Sequence, residues 1–132
     1  MPGKCARAVS LLVDYMNKTK EVKEFTMDWD SRILFDLTGE NPFGVEFPSD
    51  HGSLIDFVDH KLDHPDVIFY SDSEIFFGML TGKIDQDEAF SDGLVDVKGS
   101  IFDSVKFRHA AELTQQKHSA LFTVLRAVSR FT

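Results

Sequence analysis

The chain has little of what staples, spans or coordinates. One residue of 132 is cysteine, Cys5, so no internal disulfide can form and a reducing compartment is expected. Apolar runs reach only a few residues, which excludes a transmembrane helix. Positive charge is also scarce. Fourteen Lys and Arg stand against 22 Asp and Glu, a net charge of −8 at pH 7. A surface of that sign repels phosphate backbones and anionic bilayers alike, so no nucleic acid partner and no stable membrane insertion are expected. Met1-Pro2-Gly3-Lys4 has no apolar stretch of the secretory kind, and Ser129-Arg130-Phe131-Thr132 is unlike a peroxisomal tripeptide. A cytoplasmic location is therefore expected. Tyrosine occurs twice and tryptophan once, whereas phenylalanine supplies 13 of the 16 aromatic residues. Phe has no polar handle, so thirteen of them fill a solid core or line a dry cavity. Composition does not separate the two.

The length fits one domain, 1–132, with a core at about 4–107 and a helical extension at 108–132. Residues 4–18 place Cys5, Val9, Leu12, Val13 and Met16 on one helical stripe, with Lys18, Lys20 and Lys23 at or after its end. Trp29 to Leu37 alternates as a strand, with Ile33, Phe35 and Leu37 on one face and Arg32, Leu34 and Asp36 on the other. Phe43, Val45 and Phe47 make a second strand, Leu54 to Val58 a third, and Val67 to Tyr70 a fourth. The clusters at 38–42 and 48–52 read as turns, and short connections between consecutive strands predict antiparallel pairing.

Ser71 or Asp72 caps a helix bearing Ile75, Phe76, Met79 and Leu80, which Thr81-Gly82-Lys83 stops. Asp85 caps a short helix with Ala89 and Phe90 that ends at Gly93. Leu94 to Lys98 is a fifth strand. Gly99 or Ser100 then starts a helix bearing Ile101, Phe102 and Val105, with Leu113 further along. The phase of the stripe breaks between Thr114 and Ser119, where a mobile joint is expected. Ala120, Leu121, Val124, Leu125 and Val128 form a last apolar stripe. The order predicts an α+β domain, a five-stranded, mostly antiparallel sheet covered by helices.

Five pieces of this chain, in order and at matching spacing, resemble the sterol carrier protein 2 (SCP2-like) family. They are Phe35-Asp36-Leu37-Thr38-Gly39, Pro65-Asp66-Val67-Ile68, Leu80-Thr81-Gly82-Lys83-Ile84, Ala89-Phe90 with Gly93, and Val97-Lys98-Gly99. The similarity covers about 31–107. It implies an apolar tunnel between the sheet and the later helices that takes fatty acyl groups, sterols or other lipids. Its expected walls are Phe35 on the sheet, Ile75, Phe76, Met79 and Leu80, then Phe90, and finally Ile101, Phe102 and Val105. Lys83 and Lys98 stand beside glycine turns, where they would meet a carboxylate head. The stripe from Leu121 to Val128 would cap the tunnel, fill it or form a homodimer interface.

Catalytic constellations are not convincing in this sequence. His60 and His64 are four apart among Asp56, Asp59 and Asp63, but Pro65 and the preceding strand argue for a solvated loop, so no metal site is expected. His109 and His118 flank a polar segment without a partnered nucleophile, and no Gly-x-Ser-x-Gly elbow exists. Cys5 reads as a packed thiol. The expectation is a non-enzymatic carrier without cofactor that holds an apolar small molecule noncovalently. The alternative is a non-catalytic accessory or scaffold domain of a lipid- or quinone-modifying assembly, acting through its C-terminal helix.

Overall fold

The computed structural model describes residues 3–48 and 54–128. Helix α1 (Lys4–Asn17) and a short α2 (Lys20–Phe25) precede the strands β1 (Ser31–Thr38), β2 (Phe43–Phe47), β3 (Asp56–Val58) and β4 (Val67–Asp72). Then follow α3 (Ser73–Leu80), α4 (Gln86–Ser91), β5 (Val95–Gly99), α5 (Ile101–Lys117) and α6 (Leu121–Val128). The α+β class and the five strands are as the sequence predicts. The expected turn at 49–53 lies outside the described residues. The lysine cluster after α1 lies partly in helix α2, an element the sequence does not predict, which has Val22 as its one buried residue.

The strands lie in the order β3-β2-β1-β4-β5. Three pairings are antiparallel, but β1 and β4 run parallel, from Ile33 opposite Val67 to Thr38 opposite Asp72. Consecutive strands therefore do not all pair as neighbours. Residues 59–66 carry the chain past β2 and β1, a distance of about 14 Å at the usual strand spacing, and eight extended residues span roughly 26 Å. This segment crosses the outer face of the sheet. Leu62 is buried there against Gly44, where an added Cβ would lie 2.5 Å from the Leu62 side chain and 2.8 Å from the Ile33 carbonyl oxygen. That cover explains why Leu34, on the otherwise polar face, is also buried. Arg32 pins the segment by donating to the Asp63 carbonyl, and its own backbone N–H donates to Asp66 at 2.8 Å.

The inner face carries Ile33, Phe35 and Leu37, then Phe43, Val45 and Phe47, then Val67 and Phe69, all buried. Helices α1, α3 and α5 cover it. Helix α1 buries Cys5, Ala6, Ala8, Val9, Leu12, Val13 and Met16, and touches α2, α3, α5 and α6 as well as β3. Its first turn is closed from a distance: the Glu40 carboxylate, in the β1–β2 turn, accepts from the backbone N–H of Cys5 (3.2 Å) and Ala6 (3.0 Å). An anion at these free amides also suits the helix dipole.

Helix α5 runs unbroken to Lys117, with Thr114 and Gln115 buried, so the break in the chain falls at 118–120 and not from Thr114. Helix α6 then returns onto α1 and buries Leu121, Leu125 and Val128. Of the apolar stripe, Val124 stays half-buried and Ala120 exposed. Arg126 donates to the Thr81 carbonyl at 3.1 Å, and Phe122 lies over Gly82.

Candidate functional site

The site forms where the strand register stacks aromatic rings and two short helices close over them. Phe35 lies between Phe43 and Phe69 on neighbouring strands, its ring stacked on both at 5.0 and 5.4 Å with 13° between the planes. Helix α3 begins directly after β4, because Asp72 accepts from the Glu74 N–H at 2.8 Å and caps it. That start lays Phe76 edge-on to Phe35 at 5.4 Å, with Met79 and Leu80 beyond. Asp85 caps α4, accepting from the Glu88 N–H at 3.1 Å, and Phe90 meets Phe69 edge-on at 6.4 Å. From α5, Phe107 meets Phe35 (5.5 Å), Phe47 (6.0 Å) and Phe69 (6.0 Å). Edge-to-face and offset pairs at these distances suit the ring quadrupole.

Between these rings lies an apolar slot of about 30 Å³, walled also by Val9 and Leu12 of α1 and Ala111 of α5. The space in which the sequence places a tunnel is a narrow apolar seam. Only Gln86 and Arg108 contribute polar side chains to its lining. Outside it an open groove of about 500 Å³ is lined by Met79, Ile84, Asp87, Val105 and Glu112 among others. Met79, Gln86 and Arg108 line both spaces, so they mark the boundary between seam and groove.

Of the expected wall residues, Phe35, Phe76, Met79, Leu80 and Phe90 meet on the seam. Ile75 packs half-buried against the core but does not line it. Ile101, Phe102 and Val105 are 63%, 71% and 54% exposed, facing away from the sheet. Apolarity alone mis-phased α5. Its inward face is Ser104, Phe107, Ala110, Ala111, Thr114 and Gln115. Polar anchors set that phase: the Asp103 carboxylate accepts from Trp29 Nε1 (3.2 Å) and Ser31 Oγ (2.9 Å), and Ser100 Oγ accepts from the Asp103 N–H. With Asp103 turned to the sheet, Phe107 one turn on must follow. The alanines let α5 approach α1 closely.

Val9, Leu12, Phe69, Gln86, Phe107, Arg108 and Ala111 line the seam without having been expected from the sequence. Phe69 was available from the alternation with Val67. Phe107 was not, because its stripe partners Ser104, Ala111 and Thr114 are weakly apolar. Neither lysine expected at the rim reaches the seam. Lys98 is on the outer face of β5, opposite Ile68 and over the Tyr70 ring at 5.5 Å. Lys83 is exposed and lines neither space.

The other reactive groups are engaged structurally. The Cys5 thiol is buried and donates to the Ser73 carbonyl at 3.1 Å. Burial first, and the Glu40 charge second, hold it protonated far above the usual thiol range. His118 is edge-on to Tyr15 and 2.8 Å from Thr19 Oγ1, and His109 is edge-on to Phe25. Among the described residues no three His, Cys, Asp or Glu side chains could hold a metal ion. No helix among them is long and apolar enough to cross a membrane.

A model of the SCP-2 sterol transfer family matches residues 12–112. The chain belongs to this family. The match runs from α1 through most of α5 and leaves α6 outside. Solved structures agree with it. The sterol carrier protein domain 2 of Helicoverpa armigera superposes with a TM-score of 0.65 at 15% identity, over 84% of this chain and 87% of that one. Palmitated SCP2L2 from Aedes aegypti gives 0.63 at 12%, over 86% and 95%. A UbiJ-SCP2 ubiquinone synthesis protein gives 0.60 at 14%, over 80% and 90%. At these identities the likeness is one of fold. No curated protein matches the chain.

Proposed function

We propose that this member of the SCP-2 sterol transfer family binds and carries an apolar ligand noncovalently, in the seam between the sheet and α3, α4 and α5. The observation that carries this reading is the seam itself: five Phe rings and Met79 face one another across a narrow apolar gap with an open groove at its mouth. The Aedes relative is described as palmitated, which makes a saturated acyl chain the first ligand class to test. Each buried methylene is worth about 0.8 kcal/mol, so the ten methylenes of a dodecanoate chain gain roughly 8 kcal/mol gross. Association costs at least ~4 kcal/mol, and the remainder has to open the seam.

The part that moves is α4. It is six residues long, with Ala89 as its one buried residue and a glycine turn on either side at Gly82 and Gly93. An element with so little buried area opens at low cost. Met79 is flexible enough to refill whatever shape the chain leaves. The role is non-catalytic. Native mass spectrometry of the purified protein, before and after addition of dodecanoate, tests the proposal. Adducts of one dodecanoate that saturate at a single equivalent are expected, and a protein that takes up none would refute it.

A second reading has its own observation. Ile101, Phe102 and Val105 put apolar surface on the outside of α5, and one structural relative is named as a ubiquinone synthesis protein. An accessory subunit would use such a face. Leu121, Leu125 and Val128 of the C-terminal stripe pack within the chain, so the outer face of α5 offers the larger exposed apolar surface. Sedimentation of the full chain and of Phe102→Glu separates the readings: a dimer that dissociates in the variant favours the accessory role, and a monomer in both favours the carrier.

A further inference from the structure

We infer that Arg108 is the head-group site of the seam, and that it selects an apolar ligand bearing a carboxylate. The inference rests on the carrier reading and adds the polar end that composition and stripe patterns did not supply. Arg108 lines both the narrow seam and the open groove, so its guanidinium stands where the head of a chain lying in the seam would emerge. Its guanidinium lies over the Phe90 ring, with Cζ 4.0 Å from the ring centre. Nη2 donates to Asp87 Oδ1 at 3.1 Å. Nε is buried, and among the described residues it is the one buried side-chain nitrogen or oxygen without a hydrogen-bond partner.

A buried N–H that lacks an acceptor costs free energy, and a guanidinium satisfies Nε together with an Nη when one carboxylate accepts from both. The internal anion, Asp87, cannot do this while it reaches only Nη2. Its side chain is 95% exposed, and it sits on α4, the element proposed to move. An ion pair so exposed holds weakly. A ligand carboxylate therefore replaces Asp87 at little net electrostatic loss, and gains the Nε bond. A neutral head breaks the same pair and returns no anion. Asp85 and Glu112 also line the groove, which is why the carboxylate belongs on the seam side of Arg108 and not in the open groove. Arg108, Asp87 and Phe90 together form a latch that an anionic amphiphile opens by exchange.

Calorimetric titration of the full chain with dodecanoate and with 1-dodecanol tests this. For the wild type, dodecanoate is expected to bind at least tenfold more tightly than the alcohol. Arg108→Gln is expected to remove that preference by weakening dodecanoate binding at least tenfold more than alcohol binding. Arg108→Lys keeps the charge and should retain part of the preference, and Asp87→Asn, which removes the competing anion, should tighten dodecanoate binding. Equal losses for both ligands in Arg108→Gln, or no wild-type preference, would overturn the inference and leave the carrier reading standing. Failure of both ligands to bind the wild type would overturn the carrier reading, and this inference with it.

Discussion

Exchanging two phenylalanines five residues apart on α5 tests the account of how the seam is built. Phe107 is 6% exposed and meets the rings of Phe35, Phe47 and Phe69, whereas Phe102 is 71% exposed. Phe107→Ala removes a buried aromatic side chain from between the sheet and α1, and the cost of such truncations is about 3–5 kcal/mol, transfer and cavity terms together. The upper half of that range applies, because three ring contacts are lost and the strands below cannot move in to refill the space. Phe102→Ala removes surface already in water and should stay within about 0.5 kcal/mol of wild type. For a domain of this size the first change lowers Tm by roughly 10–20 °C and the second by at most a few degrees. Urea unfolding followed by circular dichroism measures both. Equal costs for the two variants, or a larger cost for Phe102→Ala, would refute the assigned phase of α5 and with it the composition of the seam.

Three further predictions follow from other parts of the chain. Gly99→Ala should destabilise by at least ~2 kcal/mol in the same assay, because φ is +96° there and a Cβ would lie 2.2 Å from the Asp66 carbonyl oxygen, a backbone atom that cannot step aside. Cys5 should resist iodoacetamide at pH 8 in the native protein and react only at the rate of unfolding, as mass spectrometry of alkylated protein over time will show; rapid native labelling would contradict its burial and its raised pKa. Glu21 is held below the usual carboxylate range by its own backbone N–H first and by Lys117 at 3.3 Å second, so its small contribution is present above its unfolded pKa and lost as pH falls through the lower folded value. The difference in Tm between wild type and Glu21→Gln should therefore be present at pH 7 and vanish in acid; a difference that grows on acidification would reverse the sign.

Much of the fold was legible because local chemistry and burial agree. Asp72, Asp85 and Ser100 cap the helices they precede, and the alternation of Ile33, Phe35 and Leu37 marks the buried face of β1. The parallel pairing of β1 with β4 was not legible. It depends on where residues 59–66 lie, and the device that places them, Leu62 over Gly44, consists of one leucine and one glycine far apart in sequence. The site was half legible. Helix α3 is apolar almost all round, so any phase brings Phe76 and Met79 inward. Helix α5 has its most apolar residues outside and its phase set by Asp103 bonded to Trp29 and Ser31, more than seventy residues earlier. Arg108 could not be chosen from the other cations by pattern, since its distinction is a buried Nε at a boundary between two spaces.

The central claim is that the narrow seam widens to take an apolar chain, and the methyl group of Met79 reports it most directly. With the methionines labelled as ¹³C-methyl, dodecanoate should shift the Met79 resonance in a saturable manner, while Met27, 49% exposed and not among the seam-lining residues, stays in place. A saturable shift confined to Met27, or an unmoved Met79 at ligand excess, would contradict the account.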